Sequence, residues 1–224
     1  MTTVLITGAN RGLGLEFARQ YQADGADVIA CCRRPQQADS LKALGIRIEE
    51  LDVSDPAGIA RLAASLKGVP IDILINNAGI WGPKQQDTDA IDFDRLAEVI
   101  AVNSIAPLRL ARALKANLLA GRDKKLVVLT SKMGSISDSS GGSVAYRASK
   151  AALNMIMHAV SKDWAREGIL VAILHPGWVQ TDMGGPEAPL TVTPAIAGMR
   201  ARIAELGPAT SGRFIDYAGR EIGW

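Results

Sequence analysis

Cysteine is nearly absent from this 224-residue chain: there are two, Cys31 and Cys32, and they are adjacent. Neighbours in sequence make a poor disulfide, and neither has another partner in the chain. The chain therefore does not read as a disulfide-framed secreted protein, and a reducing, cytoplasmic setting is expected. Charge of one sign is also missing. With 25 Lys and Arg against 23 Asp and Glu, the net charge is +2, which gives no broad field for nucleic acid or anionic lipid. Neither partner is expected. No apolar run approaches the length of a membrane span, and the start, Met1-Thr2-Thr3-Val4-Leu5, lacks the basic region of a secretory leader. There are only 2 histidines, and no His, Cys, Asp or Glu cluster has metal-ligand spacing. What is present is a 48% hydrophobic fraction, which must enter a buried core or a subunit interface.

The apolar residues alternate between two kinds of segment. Short β-rich runs recur at Val4–Ile6, Val28–Ala30, Ile46–Ile48, Ile71–Ile75, Leu126–Leu129 and Leu170–Leu174. Most are apolar throughout, as strands covered on both faces are. Longer helical stretches lie between them: Leu13–Asp24, Pro56–Leu66, Phe93–Leu119 and Tyr146–Arg166. Pro107 interrupts the third, which predicts a kink or two helices. Gly134–Ser143 reads as a Ser/Gly loop, and Gly184–Pro194 as a second loop. Strand–helix alternation predicts an α/β fold, a doubly wound parallel sheet of Rossmann type flanked by helices. No linker or repeat divides the chain, so residues 1–224 are expected to form a single domain.

The first β run leads directly into Thr7-Gly8-Ala9-Asn10-Arg11-Gly12-Leu13-Gly14 and then a helix. Glycines at such a turn let the backbone approach a pyrophosphate, and the helix N-terminus supplies free N–H groups and partial positive charge. The end of the second β run selects between the two nicotinamide cofactors. An NAD site carries an acid there for the ribose 2′-hydroxyl. Here Cys32 is followed by Arg33-Arg34, and guanidinium groups suit a 2′-phosphate. Arg11 could approach the same phosphate. NADP(H) is therefore expected in preference to NAD(H).

Two further motifs follow in order: Asn76-Asn77-Ala78-Gly79 after the fourth run, and Tyr146-Arg147-Ala148-Ser149-Lys150. Tyr146 and Lys150 are four apart and share one helix face. A tyrosine titrates near ~10, too high for easy proton transfer at neutral pH, and a nearby ammonium lowers that value. Ser131 directly ends the fifth run, at the sheet edge where ligands bind. Together with the glycine turn, these motifs resemble the short-chain dehydrogenase/reductase family over nearly the whole chain. Ser131-Lys132-Met133-Gly134-Ser135, His175-Pro176-Gly177-Trp178-Val179-Gln180-Thr181-Asp182-Met183 and the end from Gly212 to Trp224 are similar to its C-factor and sniffer-type carbonyl reductase branch.

The resemblance implies the chemistry. Tyr146 would protonate a carbonyl oxygen while the nicotinamide delivers hydride to the carbon, and Lys150 would hold the nicotinamide ribose. Ser131, with Ser135 as the alternative, would orient the carbonyl. Asn103 would anchor a water and proton relay toward Lys150. The cofactor would contact Gly8, Asn10, Arg11, Gly12, Leu13 and Gly14 at the turn, and Arg33 and Arg34 beyond it. Asp52 and Val53 would lie at the adenine, Asn77, Ala78 and Gly79 at its ribose, and Pro176, Gly177, Val179 and Thr181 at the nicotinamide carboxamide, beside Tyr146 and Lys150.

The substrate expected is a small apolar carbonyl or the corresponding alcohol, with Trp81, Trp178 and Met183 as candidate walls. His158 reads as packed or interfacial, and His175 as a strand-end residue. Only 41 residues (224 − 183) follow Met183, enough for a short lid and a final strand, so the pocket is expected to be open. The Tyr146 helix is apolar almost all round and, with the helix after Asn103, predicts a homodimer interface; a homotetramer is the alternative. A different class of function stays open, a C-factor-like signalling protein that binds cofactor without turnover.

Overall fold

The computed structural model describes all residues, 1–224. Seven strands form one parallel sheet: β1 (Thr3–Thr7), β2 (Asp27–Cys32), β3 (Arg47–Glu50), β4 (Ile73–Asn76), β5 (Lys125–Leu129), β6 (Leu170–His175) and β7 (Phe214–Asp216). Their order is β3-β2-β1-β4-β5-β6-β7, the doubly wound Rossmann arrangement expected from the sequence. The order reverses between β1 and β4, and at such a switch point ligands bind beyond the carboxyl ends of the strands.

Alternation along each strand feeds two separate cores. Leu5, Ile29, Leu74, Leu126 and Val171 point to one face, and Val4, Ile6, Val28, Ile73 and Val127 to the other. Cys31 and Cys32 fall on opposite faces by the same rule, both buried. Burial raises both thiols above the ordinary range, so neither is a reactive thiolate.

The first face is covered by α3 (Pro56–Ser65), α5 (Ala106–Ala113) and α7 (Val144–Asp163). The second is covered by α1 (Gly12–Ala23), the single turn α2 (Asp39–Lys42) and α8 (Val192–Ala204). Asp55 caps α3 by accepting from the Ala57 N–H, with Pro56 at its first position. α8 begins inside the segment expected to be a loop, and Pro194 falls in its first turn, where a missing N–H costs nothing. It buries Ile196, Met199 and Ile203, spaced three and four apart.

The long third stretch divides into α4 (Phe93–Ile100), a wider π turn at Ala101–Ile105, α5 and α6 (Lys115–Ala120). Pro107 has no N–H to offer the Asn103 carbonyl four residues earlier, and the backbone widens there. No helix is long and apolar enough to cross a membrane.

Candidate active site

After Thr7 the chain turns through Gly8 (φ +62) and Gly12 (φ +53) into α1. Side chains rarely adopt either dihedral. Gly14 is required by space: a Cβ there would meet the Gly8 carbonyl oxygen and lie 2.6 Å from Asn77 Nδ2. Asn77 braces the turn from the neighbouring strand. Its Nδ2 donates to the carbonyls of Thr7 (2.8 Å) and Gly8 (3.1 Å). The N–H groups of Asn77 and Ala78 both donate to Thr7 Oγ1, each at 3.0 Å. Arg11, at the N-cap of α1, makes no side-chain cap bond, and the first turn carries no acid. That helix end is therefore free to receive a phosphate.

A cleft of about 1190 Å³ opens at this switch point. Gly8, Asn10, Arg11, Gly12 and Leu13 form its floor, and Arg33, Arg34, Asp52 and Val53 one end. Asn77, Ala78 and Gly79 form the middle, and Tyr146, Lys150, Pro176 and Thr181 the other end. Gly14, Gly177 and Val179 stand behind the wall. Val179 is buried and bridges to Leu190, and Gly177 packs against Leu190 and Tyr217. A long cleft with a glycine floor and basic groups at one end fits a dinucleotide.

The charges at that end are sorted by their partners. Arg33 and Arg34 are exposed on the wall. Arg61, a cleft residue to which no motif points, is paired with Asp55 at 3.1 Å, and Glu49 with Arg47 at 2.6 Å. Asp52 accepts from the N–H and hydroxyl of Ser54 at 2.9 and 2.7 Å. Arg11 departs from expectation: its guanidinium crosses the cleft mouth to Asp182, at 2.5 Å, rather than turning toward β2.

At the opposite end, α7 carries Tyr146 and Lys150 on its buried face. Lys150 Nζ donates to the Leu129 carbonyl at 2.8 Å and lies 5.7 Å from the centre of the Tyr146 ring. Burial pushes the Tyr146 phenol up to about 12, while the Ser131 hydroxyl beside it opposes the shift. Burial also pulls Lys150 down to about 8. The lowering of the phenol expected from Lys150 is therefore not found here: desolvation dominates, and each group moves toward its neutral form.

Ser131 Oγ accepts from the Met133 N–H at 3.1 Å and faces the phenol. Ser135, in contrast, uses its hydroxyl on Ser137 Oγ (3.0 Å) and the Asp138 N–H (3.3 Å) within its own loop. Asn103, in the π turn, is fully engaged. Its Nδ2 donates to the Ile80 carbonyl (2.8 Å) and Ser149 Oγ (3.0 Å), and its Oδ1 accepts from the Ile80 N–H (2.8 Å).

The Trp81 ring lies against Tyr146, with centroids 4.4 Å apart. Trp178 and Met183 are 57% and 48% exposed. His158 is packed, with Nδ1 3.0 Å from the Gly212 carbonyl and its ring edge-on to Trp224. Burial holds His175 down at about 4, so it is neutral at the end of β6.

The buried lysine carries a stability consequence. Its folded value of about 8 lies below the ordinary 10.5, so the unfolded chain holds this proton to higher pH. Stability must then rise with pH between those two values and be flat in this respect below them. Lys150→Met removes the ionisation. The variant's Tm, less that of the wild type, is expected to fall as pH climbs through 8. Parallel Tm curves across that range would contradict it.

The sheet, the glycine turn at its switch point and the Tyr-x-x-x-Lys helix facing it define a nicotinamide-dependent oxidoreductase of Rossmann type. The family model for short chain dehydrogenase matches residues 2–189, and the chain belongs to that family. It is 44% identical over 156 residues to C-signal of Myxococcus xanthus, covering 69% of this chain and 93% of that one. It is 36% identical to the 1-hydroxy-2-glutathionyl-2-methyl-3-butene dehydrogenase of Rhodococcus sp. (strain AD45), over 100% of both chains. Among solved structures, the carbonyl reductase Sniffer of D. melanogaster superposes with a TM-score of 0.94 at 32% identity, covering 100% of both chains. The NADPH-bound carbonyl reductase from chicken fatty liver gives 0.93 at 36% identity, over 100% of this chain and 99% of that one. These likenesses place the chain in the C-factor/sniffer-like branch.

Proposed function

We propose that the chain, read as one domain over residues 1–224, is an NADP(H)-dependent reductase of small apolar ketones, aldehydes or quinones. The observation that carries this reading is the convergence of Tyr146 and Lys150 at one end of a single cleft whose other end presents Arg33 and Arg34, with the Ser131 hydroxyl beside the phenol. When bound, the cofactor supplies hydride to the substrate carbon. Tyr146 gives its proton to the carbonyl oxygen and takes it back in the reverse direction. Ser131 donates to that oxygen as charge develops. Lys150 would hold the ribose hydroxyls, and Asn103 keeps the Ile80 backbone and α7 in register. Met183 lines the cleft, and the Trp81 ring backs Tyr146 behind its wall.

Arg33 and Arg34 favour the 2′-phosphate of NADP(H), and a similar carbonyl reductase is NADPH-bound. The decisive assay is oxidation of NADPH over a carbonyl panel; no oxidation above the enzyme-free rate with any member would defeat the reading.

Asp182 modulates the same site. It neutralises Arg11 and sets a carboxylate at the cleft mouth, where phosphates must pass. Asp182→Asn is expected to tighten NADPH binding several-fold, about 2- to 5-fold for an exposed pair, with the gain fading at high salt. A fluorescence titration giving an unchanged or weaker Kd would count against this.

A second reading, a cofactor-binding signalling protein, draws on the likeness to C-signal. A complete set of Tyr146, Lys150, Ser131 and Asn103 favours the enzyme, since signalling alone has no chemical need of it. The reading includes a cytoplasmic location and a homodimer, with a homotetramer as the alternative. Phe93, Ile105 and Met155 are 77%, 43% and 64% exposed on α4, the π turn and α7, apolar side chains that a second copy would cover.

A further inference from the structure

Gln86 lies in the loop between β4 and α4 and belongs to none of the residue sets above. It is 4% exposed, and both polar atoms of its side chain are occupied. Nε2 donates to the carbonyl oxygens of Trp81 (3.0 Å) and Pro83 (2.9 Å). Oε1 accepts from the Tyr146 N–H at 2.9 Å, and the Gln86 main-chain oxygen accepts from the Val144 N–H at 3.1 Å.

Two consequences follow from these bonds. The first N–H groups of any helix lack intrahelical partners. Ser143, at the N-cap of α7, sits at φ +50 and makes no side-chain cap bond. Gln86, 60 residues before Tyr146, supplies acceptors in its place. The second consequence concerns the two rings in contact, Trp81 and Tyr146. One planar carboxamide grips the backbone of Trp81 with its donor and the backbone of Tyr146 with its acceptor. Asn103 fixes the start of the loop at Ile80, and Gln86 fixes its return. Gly82 (φ +94) turns the loop tightly between them, seated so close to α4 that a Cβ would lie 2.6 Å from Val99 Cγ2.

We propose that Gln86 is a positioning residue of this site: its carboxamide is the crossbar that holds the Trp81 indole against the Tyr146 ring and so sets where a carbonyl meets the phenol. This rests on the reductase reading for its kinetic effect, though not for its geometry. Gln86→Met keeps the length and volume of the side chain and removes its hydrogen bonds. It is expected to lower kcat about 10-fold or more while NADPH Kd stays within about 2-fold. In that background Trp81→Ala should cost much less than it does in the wild type, because the two residues act as one unit.

The emission due to Trp81, obtained by subtracting Trp81→Phe from its parent, should shift to the red in Gln86→Met as the indole gains water. Gln86→Glu keeps the acceptor for α7 and replaces the donor to Trp81 and Pro83 by an oxygen that repels their carbonyls. It provides the same comparison should the Met variant fail to fold. Wild-type kcat in either folded variant, independent effects of Gln86 and Trp81, or unshifted Trp81 emission would overturn the proposal. The emission result holds whether or not any carbonyl is turned over; absence of turnover in the wild type counts against the reductase reading alone.

Discussion

Tyr146→Phe is expected to reduce kcat for carbonyl reduction by about 10²- to 10⁴-fold, the span that a single general acid contributes. The phenol is buried, and burial keeps it protonated, pushed up to about 12. At neutral pH it is therefore loaded as an acid, and only its oxygen is lost in the variant. Phenylalanine fills the same space and retains the contact with the Trp81 ring 4.4 Å away. The main-chain bond from residue 146 to Gln86 is also unaffected. Tm and NADPH affinity should therefore stay close to wild type, which separates lost chemistry from lost structure. The measurement is NADPH oxidation at saturating carbonyl, with a fluorescence titration of NADPH beside it. Wild-type turnover in the variant would remove Tyr146 from its assigned role. If wild type and variant are equally inert on every carbonyl while both bind NADPH, the signalling reading replaces the enzymatic one.

The parts of the molecule legible in its sequence are those governed by local rules. Strands buried on both faces read as unbroken apolar runs, so β1, β2, β5 and β6 lie where those runs fall. The glycine turn was legible because Gly8, Gly12 and Gly14 answer to backbone dihedral and space, which few other residues satisfy. Less legible was α8. Its apolar spacing at Ile196, Met199 and Ile203 is sound, but three prolines precede or enter it and only contact with the second sheet face makes it a helix. The π turn at Asn103 was visible only as a proline four residues on, which marks a defect without saying which kind.

Least legible were contacts between distant segments. Arg11 reads as one more phosphate-binding cation, and nothing local pairs it with Asp182, 171 residues away. Gln86 reads as one polar residue in a polar loop. The titration of Tyr146 is hidden from the sequence for a related reason. Spacing places Lys150 on its face, but only the packed structure shows that desolvation outweighs the charge.

Replacing Arg33 and Arg34 together by alanine is expected to lower kcat/KM for NADPH about 100-fold and to reverse the cofactor preference. Hydrogen bonds to a charged group contribute roughly 1.5–3 kcal/mol each, so two guanidinium groups on one phosphate supply at most about 6 kcal/mol. Both are exposed, and solvent screening removes a good part of that. The remainder corresponds to about two factors of ten. The neighbouring strand makes the reversal more than a loss. β2 pairs with β3 so that Cys32 sits opposite Glu50 and Cys31 opposite Glu49, and both glutamates line the same end of the cleft. Arg47 pairs with Glu49, so Arg33 and Arg34 chiefly offset Glu50. Without them, Glu50 repels a 2′-phosphate, while a ribose 2′-hydroxyl can donate to a carboxylate there. NADH turnover should therefore hold or improve as NADPH turnover collapses. In the wild type, NADPH affinity should also fall more steeply with salt than NADH affinity, a difference that the double variant should abolish. Preference for NADH in the wild type, or an undiminished preference for NADPH in the variant, would show that the cleft does not select its cofactor through these two residues.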